Sequence, residues 1–270
     1  MSPRASYPAS HPYDLVNPLT DDTKRVWICI HGLGFLSRYF ARLFKTLDPG
    51  KNHLVVPQAP SKFYLRGALG DFTHVGASWL TREDTVNELP NVLNYLDGIL
   101  ANEAHKWKGK EIVLLGFSQG VSIATRWWAH RNVNIDRLVL WAGRIPEELV
   151  DAPLQNSDRT VDDADGDSAR SLVNGYHKVD QDHRAASPNN AEAAIAMAAT
   201  RKQPYTKAQH LRSLHLVYGI HDEYVNEKRM DAEYRKAKSL FGDKIVVQSF
   251  DGPHTITSDA LETLINSWDV

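Results

Sequence analysis

The chain has 270 residues, of which 42% are hydrophobic and 24% are charged, as in an ordinary globular protein. This composition excludes fibrous, collagen-like and wholly disordered chains. The net charge is -2, so the chain offers no bulk electrostatic attraction for nucleic acid or for an anionic membrane. Its single cysteine, Cys29, excludes an intrachain disulfide, and a chain of this length needs neither a disulfide nor a metal to stabilise its core.

The amino terminus predicts no leader. Residues 1–20 lack the apolar core of a secretory signal peptide. No stretch of the chain approaches the roughly 18 consecutive apolar residues of a membrane span. Together with the lone cysteine, these features predict a cytoplasmic protein without stable membrane insertion.

Short apolar runs alternate with longer segments of helical period along most of the chain. The strand-like runs are 26–30, 53–56, 112–115, 138–141, 214–218 and 245–250. The helical segments lie at about 36–47, 84–105, 119–131, 226–240 and 258–268, and an entry strand or arm is expected at 12–22. Continuous apolar strands are typical of strands that are buried on both faces. The alternation therefore predicts an α/β fold with a mostly parallel central sheet and helices on both faces.

One long polar segment interrupts this alternation. Residues 151–190 are rich in Asp, Ser and Asn and poor in large apolar residues, and strong helix formers follow them. A connection of this length inside a compact domain is either a functional lid or a mobile insertion. We therefore predict one domain over 1–270, with a polar insertion or lid at about 151–205.

The sharpest local motif is Gly116-Phe117-Ser118-Gln119-Gly120, which follows an apolar strand and precedes a helix. In such a strand-turn-helix motif, the two glycines permit a tight turn from which the serine hydroxyl projects. The amides at the start of the following helix favour negative charge at the same place. The motif predicts Ser118 as a nucleophile.

A serine nucleophile needs a base, and an acid that orients the base, in the chain order Ser, Asp or Glu, His. Of the histidines after Ser118, only His254 lies in a glycine-containing loop between a strand and the final helix, where such sheets place their active sites. We therefore predict His254 as the base. Asp222 follows the strand 214–218 and is the preferred acid, with Glu223 and Asp251 as alternatives.

An oxyanion hole would need two backbone N–H groups, one from the residue after the nucleophile and one from the loop after an early strand. Gln119 supplies the first. The loop His31-Gly32-Leu33-Gly34-Phe35 supplies the second, with Leu33 as the preferred donor and Gly34 or Phe35 as alternatives. Because His31 precedes the serine, we expect it to pack beneath this loop through its ring nitrogens.

Together with residues 219–225 and 252–254, these motifs resemble the phospholipase/carboxylesterase branch of the α/β-hydrolases, which includes the acyl-protein thioesterases. The stretch Ala77-Ser78-Trp79-Leu80 also resembles that family. The resemblance covers roughly residues 24–150 and 212–268. It implies an α/β-hydrolase fold and a metal-independent, cofactor-free esterase with a Ser118-Asp222-His254 triad. It also implies that Trp79 lines the acyl pocket, unless it is simply buried under the loop, and Phe35 and Phe117 are further candidates for the pocket wall.

Two departures from the family leave the substrate open, because Phe35 stands where the family usually has Asp and the span 151–205 is longer than the family's connection. We expect a serine carboxylesterase that hydrolyses short- to medium-chain acyl esters through an acyl-enzyme. The alternatives are a lysophospholipase or acyl thioesterase, a serine peptidase of the same fold, and a catalytically silent binding protein. The chain has no paired cysteines and no H-E-x-x-H helix, so no metal is expected. The expected partner is a small-molecule acyl ester and not nucleic acid, and the pair Trp127-Trp128 belongs either to the core or to the face of a homodimer.

Overall fold

The computed structural model describes residues 5, 7–65, 72–131, 133–150 and 210–268. The insertion or lid predicted at about 151–205 lies outside the described residues. Within these ranges, no helix is both long enough and apolar enough to cross a membrane.

The described strands form a seven-stranded sheet and a separate two-stranded hairpin. The sheet contains β1 (Tyr13–Val16), β2 (Arg25–Ile30), β3 (Asn52–Pro57), β6 (Glu111–Phe117), β7 (Arg137–Trp141), β8 (Ser213–Gly219) and β9 (Ile245–Phe250), in the order β1-β3-β2-β6-β7-β8-β9. Only β1 is antiparallel to its neighbour, and the other pairs are parallel. The hairpin consists of β4 (Ser61–Leu65) and β5 (His74–Ser78), which pair antiparallel.

The helices cover both faces of this sheet. They are α1 (Ser37–Phe40), α2 (Thr85–Glu103), α3 (Gln119–His130), α4 (Glu227–Phe241) and α5 (Ser258–Asn266), with short 3-10 turns at Ala41–Phe44, Ala104–Lys106 and Glu147–Leu149. Successive side chains of a strand point to opposite faces. Accordingly, Val26 and Ile28 of β2 pack in the core beneath α2, α3 and α4, and Trp27 and Cys29 pack in the core beneath α1 and α5.

The structure confirms the predicted fold class and the six predicted sheet strands, and it shows that the entry arm forms β1. The helix predicted at about 36–47 is wrong as one element, since the chain forms only one α-helical turn and then a 3-10 turn. The β4–β5 hairpin was not predicted, because β4 is largely exposed and its apolar run, 63–65, is only three residues long. Trp127 and Trp128 are 0% and 2% exposed, so they belong to the core and not to a dimer face.

The parallel sheet brings the predicted site residues to one edge. Ser118, Asp222 and His254 follow β6, β8 and β9, and the carboxyl ends of parallel strands meet at the same side of a sheet. In the register of β2 and β6, Ile30 pairs with Gly116, so the loop after β2 lies beside the turn after β6. The fold therefore places the predicted oxyanion loop next to the predicted nucleophile.

Candidate active site

Ser118 lies at the tight turn between β6 and α3. Its backbone has φ 53° and ψ -118°, a conformation that non-glycine residues rarely adopt. Such strain persists only where the surrounding structure enforces it, and it clusters at functional sites. The turn sets the serine hydroxyl at the end of the strand, immediately before the first amides of α3.

The two glycines of the motif allow the backbone to pass close to itself at this turn. A Cβ atom on Gly116 would lie 2.5 Å from the carbonyl oxygen of Gly120. A Cβ atom on Gly120 would overlap the carbonyl oxygen of Ile30 in β2. Both positions therefore require glycine for steric reasons, as expected for a nucleophile elbow.

His254 bridges Ser118 and Asp222. Its Nε2 lies 3.0 Å from Ser118 Oγ, and its Nδ1 lies 2.7 Å from Asp222 Oδ2. Because an ionised carboxylate only accepts hydrogen bonds, Nδ1 carries the proton in this arrangement. The lone pair of Nε2 then accepts a hydrogen bond from the serine hydroxyl. The structure thus brings together the three residues that the sequence singled out, in the geometry that a nucleophile, a base and an orienting acid require.

Both carboxylate oxygens of Asp222 accept hydrogen bonds. Its side chain is 0% exposed, and its Oδ1 accepts hydrogen bonds from the backbone N–H groups of Tyr224 and Val225 at 2.8 and 3.1 Å. These two bonds fix the carboxylate plane and direct Oδ2 at His254. The alternative acids do not reach the histidine: Glu223 is exposed, and the 85% exposed Asp251 side chain pairs with His221 instead.

Two aromatic rings enclose the imidazole. The ring centroid of His254 lies 5.1 Å from that of Phe117, and 4.9 Å from that of Tyr224 in an edge-to-face contact. The loop that carries the histidine is also anchored from the sheet, since Trp141 Nε1 donates to the carbonyl oxygen of Thr255 at 2.9 Å. The imidazole is therefore held in one orientation before any substrate arrives.

The predicted oxyanion loop lies directly against Ser118. A Cβ atom on Gly32 would lie 3.1 Å from Ser118 Cβ, so only glycine allows this approach without displacement. The next residue, Leu33, makes no backbone hydrogen bond to the part of the chain that the structure describes. Gln119 is the first residue of α3, and its N–H has no acceptor within the helix. Two N–H groups are thus available beside Ser118.

The alternative donors in the loop are already engaged. The Gly34 N–H donates to the Ala77 carbonyl at 2.8 Å, and the Phe35 N–H donates to the Gly32 carbonyl at 3.4 Å. These bonds leave the N–H of Leu33, the donor preferred on sequence grounds, available in the loop.

His31 controls the orientation of the Leu33 amide. Its buried Nε2 accepts from the Ala59 N–H at 3.1 Å, so the ring proton is on Nδ1, which donates to the Gly32 carbonyl at 2.7 Å. That carbonyl belongs to the same planar trans peptide as the Leu33 N–H, so fixing one directs the other to the opposite side. Burial lowers the pKa of His31 to about 4, which keeps the ring neutral near neutral pH. The role expected for His31 beneath the loop agrees with this geometry.

The side chain of Gln119 connects the nucleophile turn to the segment after β5. Its Nε2 donates to Ser78 Oγ at 3.1 Å and to the Leu80 carbonyl at 2.8 Å, and its Oε1 accepts from the Trp79 N–H at 3.0 Å. The Trp79 indole then donates to the His31 carbonyl at 2.8 Å. A series of hydrogen bonds therefore joins Gln119 to His31, at the start of the loop that carries Leu33.

No family model matches the sequence, and no curated protein is significantly similar to it. Among solved structures, the chain is similar to the Zea mays acyl-protein thioesterase 2, with 17% identity and a TM-score of 0.58 over 96% of this chain and 98% of that one. It is also similar to the Bacillus cereus carboxylesterase, with 14% identity and a TM-score of 0.53 over 97% and 94% of the two chains. A phospholipase/carboxylesterase from Dyadobacter fermentans matches with 14% identity and a TM-score of 0.50 over 98% and 99%.

The chain has the α/β-hydrolase fold. The three structures are esterases or thioesterases of the group that the sequence motifs resemble, and they match this chain over nearly its full length. At these identities, the likeness concerns the fold. The chemistry of the site therefore depends on its own residues.

The three residues predicted for the pocket wall occupy different places in this α/β-hydrolase fold. Phe35 lines a cavity beside the oxyanion loop. Trp79 is only 1% exposed and its indole donates to the His31 carbonyl, so it is buried under the loop, which was the alternative to a place in the acyl pocket. Phe117 is 2% exposed and its ring centroid lies 5.1 Å from that of His254, and its part in the pocket wall stays a prediction.

Several contributors to the site carried no sequence signal. Tyr224 was missed because it contributes a backbone N–H to Asp222 and a ring edge to His254, which no residue spacing reveals. The cavity residues Arg38 and His74 were missed because they come from a short helix and from the unpredicted hairpin. In the described part of the chain, no three His, Cys, Asp or Glu side chains are grouped closely enough to hold a metal ion.

Proposed function

We propose that the chain is a serine carboxylesterase of the phospholipase/carboxylesterase type, with Ser118, His254 and Asp222 as its catalytic residues. The observation that carries the proposal is the hydrogen-bonded series from Ser118 Oγ through His254 to Asp222, with distances of 3.0 and 2.7 Å, at a strained turn beside two available amides. The similar structures include a carboxylesterase, a phospholipase/carboxylesterase and an acyl-protein thioesterase, which supports hydrolase activity.

In the acylation step, His254 Nε2 removes the hydroxyl proton of Ser118 while Oγ attacks the ester carbonyl. The imidazolium that forms is stabilised by the buried Asp222 carboxylate at 2.7 Å. The N–H groups of Leu33 and Gln119 stabilise the tetrahedral oxyanion, and they need no reorganisation because the surrounding network already fixes them. His254 then returns the proton to the leaving alcohol, which departs and leaves the acyl-enzyme.

Deacylation repeats the same steps with water as the nucleophile. His254 removes a proton from water, the hydroxide attacks the acyl carbonyl, and the second oxyanion uses the same two amides. The proton then passes to Ser118 Oγ, and the carboxylic acid leaves. One water is consumed for each ester cleaved, and the enzyme returns to its starting state.

In this proposal the candidate acyl pocket is the cavity whose lining includes Gly34 and Phe35 of the oxyanion loop. Its volume is about 260 Å³, which lies below the usual range of roughly 300 to 1,000 Å³ for small-molecule sites. We therefore propose short- to medium-chain acyl esters as substrates. Acyl thioesters and lysophospholipids remain the second candidates, supported by the acyl-protein thioesterase and the phospholipase/carboxylesterase among the similar structures.

The test is hydrolysis of p-nitrophenyl esters from acetate to palmitate by the wild type, Ser118→Ala and Ser122→Ala. Ser122 is a matched control, because it lies one turn further along α3 and its hydroxyl bonds Arg126 at 2.7 Å and not the triad. We expect a short-chain optimum that is lost only in Ser118→Ala. A long-chain optimum would favour lysophospholipase or deacylase chemistry. Cleavage of aminoacyl amides in place of esters would favour a peptidase, and no turnover on any substrate would favour a binding protein.

A cytoplasmic location is also proposed. The support is the single cysteine, Cys29, which is buried in the core, so no disulfide contributes to this fold. Fractionation of cells that express the full chain tests this, and recovery outside the cytoplasm would refute it.

A further inference from the structure

A cavity of about 260 Å³ opens beside the proposed oxyanion hole. One wall is the oxyanion loop itself, through Gly34 and Phe35, and the opposite walls are Arg38 and Tyr39 of α1 and residues 73–75 at the start of β5. The Gly34 N–H bonds the carbonyl of Ala77 in the same strand, so the loop and β5 form one continuous surface. Leu33 directly precedes Gly34 and Phe35 in this loop, so the lining of the cavity begins one residue from the proposed oxyanion donor.

The ionisable groups of the cavity wall are cationic or neutral. Arg38 and His74 supply a guanidinium and an imidazole, and no carboxylate stands among the lining residues that the structure describes. The chain around α1 also carries an excess of positive charge, since residues 34–45 contain Arg38, Arg42 and Lys45 and no acidic residue. This concentration of positive charge occurs in a protein whose net charge is -2.

Arg38 is held on an aromatic ring and not by a carboxylate. Its guanidinium carbon lies 4.9 Å from the centroid of the Tyr39 ring, and that of Arg42 lies 4.8 Å from the same centroid. Within the described ranges, neither guanidinium lies within ion-pair distance of an acidic side chain. Stacking on Tyr39 limits the rotamers of Arg38 while leaving its N–H donors available to a ligand.

Two guanidinium groups on one ring repel each other, and an anion bound between α1 and the cavity would relieve this repulsion. A guanidinium also matches a carboxylate geometrically, because its planar fork donates two parallel hydrogen bonds. We propose that the cavity binds a carboxylate on the substrate and that Arg38 is the specificity-determining residue. The inference rests on the proposed esterase function and narrows its substrate class to acyl esters that carry a second, ionised carboxyl group.

Two matched pairs of substrates test this. The first compares the mono-p-nitrophenyl ester of glutaric acid with p-nitrophenyl valerate, which places the charge on the acyl side. The second compares the butyrate ester of 4-hydroxybenzoate with that of 4-hydroxyacetophenone, which places the charge on the leaving group. Each pair is assayed with the wild type, Arg38→Gln, Arg38→Lys and Arg42→Gln. Arg42 is the matched control, because it stacks on the same ring but does not line the cavity.

We expect one charged substrate to exceed its neutral partner at least tenfold in kcat/KM, with the preference weakened by added salt because the site is open to solvent. Arg38→Gln should abolish this preference, lowering kcat/KM for the charged substrate about tenfold more than for its neutral partner, since one charge-assisted pair is worth about tenfold. Arg38→Lys should retain part of the preference for the charged substrate, and Arg42→Gln should retain most of that preference. Equal or slower turnover of both charged substrates by the wild type, or equal losses on charged and neutral esters in Arg38→Gln, would overturn the inference. Esterase activity on neutral substrates would still stand in that case, whereas no activity on any ester would refute the proposed function itself.

Discussion

Replacement of Asp222 by Asn tests how the acid acts on the base. The Oδ1 position accepts two backbone N–H groups, from Tyr224 and Val225 at 2.8 and 3.1 Å, so the carbonyl oxygen of an asparagine must take that position. Its NH₂ group then faces His254 Nδ1, where the carboxylate oxygen now lies at 2.7 Å. Because that NH₂ only donates, the imidazole must accept through Nδ1 and carry its proton on Nε2.

In that tautomer, Nε2 has no lone pair for the proton of Ser118. We therefore expect Asp222→Asn to lower kcat by about 10⁴-fold, equivalent to about 5 kcal/mol of transition-state stabilisation, with a much smaller change in KM. The shape of the side chain is conserved and its two backbone bonds remain, so the fold should persist.

The assay is steady-state hydrolysis of p-nitrophenyl butyrate, with circular dichroism to verify folding. Asp251→Asn is the matched control, since Asp251 is a neighbouring acid that pairs with His221 on the surface. The control should retain kcat within about twofold. A folded Asp222→Asn variant within tenfold of the wild type would refute the reasoning, because the orienting acid would then be another group.

Three further predictions concern other buried polar groups of the protein. Trp79→Phe removes the donor to the His31 carbonyl at 2.8 Å but keeps an aromatic ring, so kcat should fall by about tenfold with KM nearly unchanged. An unchanged kcat in a steady-state assay would show that this hydrogen bond does not help to position the loop. Burial lowers the pKa values of His31 and His215 to about 4 from 6.5, so the unfolded chain binds more protons between these pH values. The free energy of unfolding should therefore fall by up to about 3 kcal/mol for each histidine as the pH drops from 6.5 to 4, and urea titrations that show no such fall would contradict this. Glu233→Ala should lower the free energy of unfolding by about 3 kcal/mol, because the buried ammonium of Lys236 loses a carboxylate at 2.9 Å. In a double-mutant cycle measured by denaturant unfolding, Glu233→Ala combined with Lys236→Met should lower this free energy by less than the sum of the two single effects.

The sheet and the positions of Ser118, Asp222 and His254 were predictable because both are encoded locally. Strands buried on both faces carry continuous apolar runs, and β2 and β6 are apolar at nearly every position. The G-x-S-x-G motif is a steric requirement of one turn, which the close approach of Gly116 to Gly120 shows directly. The parallel sheet then determines where Asp222 and His254 must lie, since each follows a strand on the same edge.

The remaining features depend on contacts between residues that are distant in sequence. The side chain of Gln119 meets the segment after β5 across 40 residues of chain, so its role has no local pattern. The β4–β5 hairpin is half-exposed and short, which removes the apolar alternation that reveals a strand. The segment at about 36–47 has helical spacing, but its apolar residues pack as one α-helical turn and one 3-10 turn against the sheet.

The most direct test of the central claim is to locate the site of a fluorophosphonate adduct by peptide mass spectrometry, while hydrolysis of p-nitrophenyl butyrate is followed in the same sample. The account predicts one adduct per chain, on Ser118, with esterase activity lost in proportion to labelling and no adduct in Ser118→Ala. An adduct on another residue that abolishes activity, or full hydrolysis by a chain labelled at Ser118, would contradict it.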